Sequence, residues 1–206
     1  MPPQEKGEYR GIAWESYEEL YFLYWIYELK DKEYVYSIQR APSFGLSQGL
    51  SSTYLERLKT KTKERTQKIL EEHSYNPEFL ILWNQKAVEE KIIWQLPSVP
   101  KYQKQIIAQR HKDSSNQPAQ YWHSLIEVKP IWDHQNMTRL FKLNQKWMWD
   151  KHGIFVNLIF PKRLFQATFT PNDYLYTEKK RDKRSIEWKI LTVDEFLNLK
   201  RGEHDM

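Results

Sequence analysis

Tyr121-Trp-His-Ser-Leu-Ile-Glu-Val-Lys129 is the stretch on which the fold turns. It reads as a core strand. Side chains alternate along a strand, so Glu127 and Lys129 share one face while Ile126 and Val128 share the other. A carboxylate and an ammonium side by side at the end of a largely buried strand are costly unless they pair or bind something. Phe79-Leu-Ile-Leu-Trp83 is a continuous apolar run and reads as a central strand buried on both faces, with Pro77-Glu78 directly before it. Ile154 to Phe160 reads as a third core strand.

Helices fit around these strands. Trp14 to Lys30 is dense in large apolar residues, and Ser16, Glu19, Leu20, Leu23, Ile26 and Tyr27 fall on one helical face. Asn136 to His152 reads as a second helix, with Met137, Leu140, Phe141, Trp147 and Met148 on one face and Gly153 at its C′ position. Tyr34 to Phe44 reads as a strand in which Tyr34, Tyr36 and Ile38 alternate with smaller or polar residues. The charged segment Leu50 to His73 reads as mainly helical. Residues 84–120, with Pro97, Pro100 and Pro118, read as a polar insertion without a clear core element. Ile186 to Leu191 reads as a strand, and Thr192 with Glu195 as a capping box opening a last helix. The expectation is one domain over 1–206: a mixed α/β core at about 14–160, the insertion, and a strand–helix extension over 161–206. A mixed central sheet is flanked by helices.

Composition narrows the function. The chain has 206 residues, 40% apolar and 15% aromatic, enough for a real core and against wholesale disorder. It has no cysteine, which removes disulfides, thiolate metal sites and thiol nucleophiles. No apolar run approaches the ~18 residues of a membrane span, and the first residues lack the apolar region of a signal peptide, so a cytoplasmic protein with no membrane partner is expected. The formal charge of +5 suits a polyanionic partner. Candidate phosphate contacts lie in the run containing Lys61 and Lys63, in the insertion between Lys101 and Lys112, and at Lys179, Lys180, Arg181, Lys183 and Arg184, where Asp182 is the sole acid. The alternative for each run is a solvated face. Six histidines show no metal-ligand spacing, and the motifs of P-loop, dinucleotide-binding and α/β-hydrolase proteins are absent.

If Glu78 lies at the edge of a strand neighbouring Glu127, two carboxylates and Lys129 converge on one point. Carboxylates are hard ligands, and Mg²⁺ takes one or two of them with water and phosphate oxygens. The lysine would orient or activate water, or offset developing negative charge. That is a layout for metal-assisted hydrolysis of a phosphodiester.

Pro77-Glu78, a gap, and Glu127-Val128-Lys129 together resemble the motif of the PD-(D/E)XK nuclease superfamily, of the phage or mobile-element kind that includes TnsA-like and Holliday-junction-resolvase-like endonucleases. Ser16-Tyr17-Glu18-Glu19 is similar to the Ser-x-x-Glu setting of that family's first helix, and the order of elements is similar over about 14–160. The resemblance implies a restriction-endonuclease-like core and a Mg²⁺-dependent DNA endonuclease, with Mn²⁺ as a substitute, acting in phage or mobile-element DNA processing or recombination. Glu78, Glu127 and the Val128 carbonyl would hold the metal, Lys129 would serve the water, and Glu19 would add an acid to the metal's water shell. It also implies DNA as partner, a homodimer or a phage or transposon assembly, and the host cytoplasm if the chain is phage-encoded. One departure is that Glu78 stands where the family has Asp, and the extra methylene moves the carboxylate by about 1.5 Å. Two alternatives therefore stand beside the endonuclease: an inactive nucleic-acid-binding module on the same fold, and a structural or interaction protein whose acid–lysine cluster is an ion-pair network. Glu19 has its own alternative, a capping box with Ser16.

Overall fold

A computed structural model of the chain describes residues 6–92, 106–112, 118–131, 137–177 and 182–202. Its elements run β1 (Gly7–Tyr9), β2 (Ile12–Trp14), α1 (Tyr17–Asp31), β3 (Val35–Arg40), β4 (Phe44–Ser47), β5 (Leu50–Arg57), β6 (Thr62–Leu70), β7 (His73–Tyr75), β8 (Phe79–Trp83), α2 (Gln85–Glu89), β9 (Gln109–Lys112), β10 (Pro118–Val128), α3 (Met137–His152), β11 (Val156–Ile159), α4 (Pro161–Ala167) and α5 (Val193–Gly202), with a 3₁₀ turn over Asn172–Leu175. The molecule is mixed α/β. The main sheet has the order β11-β10-β8-β3, with β9 also on β10. β3, β8 and β10 run antiparallel, and β11 lies parallel to β10 after the α3 crossover.

Strand alternation sorts the core into two faces. Phe79, Ile81, Trp83, Ile126 and Val128 meet α1, which is apolar around most of its circumference and buried from Glu19 to Tyr27. Leu125 and Val156 meet Phe141 and Met148 of α3, together with Leu46 and Tyr75. β8 is thus covered on both sides, as its apolar run predicts, although Leu80 and Leu82 are only half-buried. On α3 the inward side is Phe141, Asn144 and Met148, while Leu140 and Trp147 of the expected apolar face stay exposed. Gly153 ends the helix at φ +63°, a backbone state that favours glycine.

Four expectations are corrected. Leu50 to His73 is an antiparallel hairpin, β5 on β6, rather than a helix. Its sequence has no helical apolar stripe, and β-branched Thr53, Thr62 and Thr66 favour a pleated ladder. On β3 a register shift between Val35 and Ser37 puts Val35 and Ile38 inside and leaves Tyr36 exposed. The 84–120 segment does supply core: Ile92, Ile106 and Ala108 are buried, and Asn157 accepts from Ile107 N–H at 2.7 Å. Ile186 to Leu191 forms no strand. That segment packs against the larger core cluster, held where Thr170 N–H donates to Leu191 O at 2.9 Å and Trp188 Nε1 donates to Thr170 at 3.0 Å. The chain after 160 is therefore no appendage, since Phe165, Phe169, Tyr174, Phe196 and Leu197 complete the α1 side of the core. The Thr192 cap is as read, with Thr192 N–H donating to Glu195 at 2.8 Å. Among the described residues no helix is long and apolar enough to cross a membrane.

Candidate functional site

The chemistry gathers where β10 ends and β8 begins. Register pairs Ile126 with Phe79, so Glu127, Lys129 and Glu78 come to the same end of the sheet. Glu78 N–H donates to Ile126 O at 2.9 Å and Lys129 N–H to Ile159 O at 2.9 Å, which fixes both backbones at that end. Phe79 and Val128 face α1, so alternation turns Glu78 and Glu127 toward the other side.

The side chains form one continuous network. Lys129 Nζ lies 2.6 Å from Glu127 Oε1 and 3.9 Å from Glu78 Oε1. Arg40, the last residue of β3, reaches Glu78 Oε2 at 3.0 Å and Glu19 Oε2 at 2.6 Å, with its guanidinium over the Phe79 ring. Tyr75 Oη donates to Glu127 Oε2 at 2.8 Å. Glu19 is 4% exposed and Glu127 is 5% exposed, so these are charges removed from water rather than surface pairs.

Three carboxylates meet two cations here. The cluster is one positive charge short when every acid is ionised, and the shortage falls on Glu78. Burial, then the neighbouring Glu19 and Glu127 carboxylates, push its carboxyl up to about 7, against the pull of Lys129 and Arg40. Burial opposes the charge on Arg40, yet Glu19 and Glu78 hold it above its ordinary value. Burial and the Glu127 carboxylate push the Tyr75 phenol far up, so it stays a hydrogen-bond donor.

Glu78, Glu127, Lys129 and Glu19 therefore belong to one cluster, Glu19 through Arg40. Glu19 also takes part in a cap: its N–H donates to Ser16 Oγ at 3.2 Å, while its carboxylate accepts from Glu15 N–H at 3.2 Å. The capping and cluster roles of Glu19 coexist. Val128 turns its side chain into the core, leaving only its backbone near the acids. Sequence reading missed Arg40 and Tyr75. Neither carried a sequence signal: Arg40 fell within the strand expected over Tyr34 to Phe44, and Tyr75 was notable only for lying three residues before Glu78.

The basic residues sit elsewhere. Lys61 and Lys63 are exposed at the far end of the β5–β6 hairpin. Arg184 lies against the Tyr21 and Tyr174 rings and donates to Tyr176 O at 2.9 Å. Lys183 is exposed beside it, and Lys179, Lys180 and Arg181 lie outside the described residues. Of the histidines, His73 Nε2 is 2.9 Å from Asn144 Oδ1, and His152 donates to Gly45 O at 3.1 Å.

Among the described residues no three His, Cys, Asp or Glu side chains form a ready-made metal cage. The donor chemistry nevertheless fits Mg²⁺, which binds through one or two carboxylates and takes its other oxygens from water and phosphate. Glu78 and Glu127 supply two hard carboxylates on either side of one ammonium. No protein-family model, curated protein or solved structure matches the chain.

Proposed function

We propose that this protein is a divalent-metal-dependent DNA endonuclease with a PD-(D/E)XK-like core, in which Glu78, Glu127 and Lys129 form the active site. One observation carries the reading: at one end of the sheet, the buried carboxylates of Glu19 and Glu127 and the partly buried one of Glu78 face two cations, leaving a deficit of positive charge on Glu78. A proton on Glu78 or a bound cation makes up that deficit. The order of elements supports the same reading: a helix, three antiparallel strands, a helix, and a strand parallel to the one bearing Glu127 and Lys129.

Glu78 and Glu127 would hold Mg²⁺ or Mn²⁺, with the Val128 carbonyl as a further oxygen. When bound, that ion supplies a Lewis acid toward a phosphoryl oxygen. The chain's own residues do the rest. Tyr75 and Lys129 fix the two oxygens of Glu127, so the carboxylate is aimed before substrate arrives. Lys129 keeps a positive charge at the place where the attacking water must lose a proton and the phosphate gains charge. Arg40 positions Glu78 against Glu19 and leaves part of its guanidinium open to a phosphate.

The test is cleavage of duplex, single-stranded and branched DNA in Mg²⁺, Mn²⁺ or EDTA. Cutting is expected only with metal. Lys129→Ala should slow it by ~10²–10³, with the circular-dichroism spectrum and metal-free DNA binding retained. Absence of cutting on every substrate overturns the reading. A second reading is favoured by the fact that both oxygens of Glu78 and of Glu127 already have partners. It is a nucleic-acid-binding module whose cluster serves as a buried ion-pair network, expected to bind DNA in a salt-dependent way and never to cut it.

A further inference from the structure

Between Arg40 and Glu78 the chain leaves the sheet and returns as an arm. β4 pairs with β7 at the root and β5 with β6 beyond it. The root is fastened to the candidate site and to α3. Leu46 and Tyr75 are buried in the core, Tyr75 holds Glu127, His73 meets Asn144, and His152 holds Gly45. The outer ribbon has no core of its own. Every residue of β6 is exposed, and so is every residue of β5 except Glu56. At ~3.4 Å per residue its ladder is about 27 Å long.

Cations outnumber acids along this ribbon: six Lys and Arg stand between Leu50 and Leu70 against Glu56 and Glu64, both near the tip, with Glu56 opposite Lys63 in the ladder. Arg65 pairs with Glu56 at 2.8 Å, and at the root Lys68 pairs with Glu71 at 2.5 Å. Between Glu56 and Glu64, Arg57-Leu-Lys-Thr-Lys-Thr-Lys63 carries four cations around a turn in which Leu58 N–H donates to Lys61 O at 2.8 Å. Arg57, Lys59, Lys61 and Lys63 are exposed, and among the described residues none of them is in an ion pair. An unsupported two-stranded ribbon gains little stability from its own contacts. Nothing in the core accounts for its length or for the charge at its end.

We propose that this arm is a double-stranded-DNA-binding element whose tip cations contact phosphates flanking the bond at the Glu78–Glu127–Lys129 cluster. The inference rests on the proposed function and deepens it by naming duplex DNA as the substrate class. A two-stranded ribbon matches the ~12 Å major groove of B-DNA, whereas the major groove of A-form RNA is too narrow for it. Single-strand binders stack bases on aromatic side chains, and between Gly49 and Glu72 the one aromatic is Tyr54, in the middle of the ribbon. With duplex rising ~3.4 Å per base pair, the arm's length covers about eight base pairs to one side of the root.

The experiment is fluorescence anisotropy of the full chain in EDTA, on duplexes from about 8 to about 30 base pairs and on the matching single strands, across a salt series. The parent should prefer duplex, with affinity rising with length until the arm is covered. Replacing Lys59, Lys61 and Lys63 together by Gln should weaken duplex binding by at least about tenfold, reduce the log–log salt slope by ~0.9 for each phosphate no longer neutralised, and erase part of the length dependence. Unchanged affinity and slope in the triple variant overturn the proposal, as does equal parental affinity for single strands. A variant that alters only sedimentation, and not DNA binding, also overturns it by making the arm a contact between copies. Binding in EDTA is independent of cutting, so the two readings fail separately. A parent that binds duplex through the tip but never cuts loses the endonuclease reading alone. A parent that cuts, with a triple variant that binds as well as it does, loses the arm alone.

Discussion

The molecule uses lysine, arginine and glutamate in two places under opposite physics. Where β10 ends and β8 begins the carboxylates are buried or nearly so, each cation touches one of them, and burial together with the imbalance appears as a raised Glu78 pKa. Along the β5–β6 arm similar residues stand in water, and four at the tip have no carboxylate partner among the described residues. The contrast shows why a residue type is a poor guide to its energetic weight. A buried charge is strongly coupled to its neighbours, and its loss strands a partner. An exposed charge is screened within ~8–10 Å, so it contributes little to folding and is free to meet a polyanion. Tyr75 joins the two regions, being part of the arm's root and a donor to Glu127.

The contrast can be tested from its stronger side downward. Lys129→Ala should lose on the order of 3 kcal/mol in chemical denaturation, because it leaves Glu127 and Glu78 short of a cation. The double variant with Glu127→Gln should lose less than the sum of the singles, and strict additivity would mean that the pair is not coupled. Cleavage should be compared well below both melting temperatures, so that a rate effect is not mistaken for unfolding.

The pH dependence of Glu78 comes next. Its folded pKa of about 7 lies above the ordinary 4.5. Between those values the folded chain holds a proton that the unfolded chain has released, so this group's stabilising contribution is full below about 4.5 and is lost as pH rises through about 7. Glu78→Gln removes that dependence. Relative to the parent it should gain stability from pH 4.5 to 8 by up to about 3 kcal/mol, read from urea midpoints at each pH. A flat difference across the range would place Glu78 at an ordinary pKa.

Tyr75→Phe keeps the ring and removes one hydrogen bond to a buried carboxylate. It should cost about 1.5–3 kcal/mol by urea denaturation and slow any cleavage, since Glu127 loses an aiming partner. The smallest effect belongs to the arm. Lys61→Gln with Lys63→Gln should move stability by less than about 0.5 kcal/mol in the same assay, and a larger shift would show that the tip packs against the rest of the chain.

Legibility in the sequence followed locality. Both central strands, the N-terminal helix with its Ser16 cap, α3 with its Gly153 end, and the Thr192 cap were readable, because periodicity and capping depend on residues within a turn or two of one another. The shared face of Glu127 and Lys129 came from strand alternation alone. The hairpin was not readable. A ribbon exposed on both faces needs no apolar alternation, so its Lys, Glu and Thr pattern carries no strand period, and only the β-branched threonines lean toward a ladder over a solvated helix. The segment Ile186 to Leu191 has strand-like composition, but its partner is the larger core cluster rather than a sheet edge.

Local pattern along the chain thus sets which core residues are strand, helix and cap, and that an acid and a lysine share one strand face. It takes the folded chain to add Arg40 and Tyr75 to the cluster, to bring Glu19 into it across the sheet, and to rest the surplus negative charge on Glu78. The reason is physical. Alternation and capping are set by the covalent chain over a few residues, whereas burial and electrostatic coupling depend on distances between segments dozens of residues apart, which only folding brings within 4 Å.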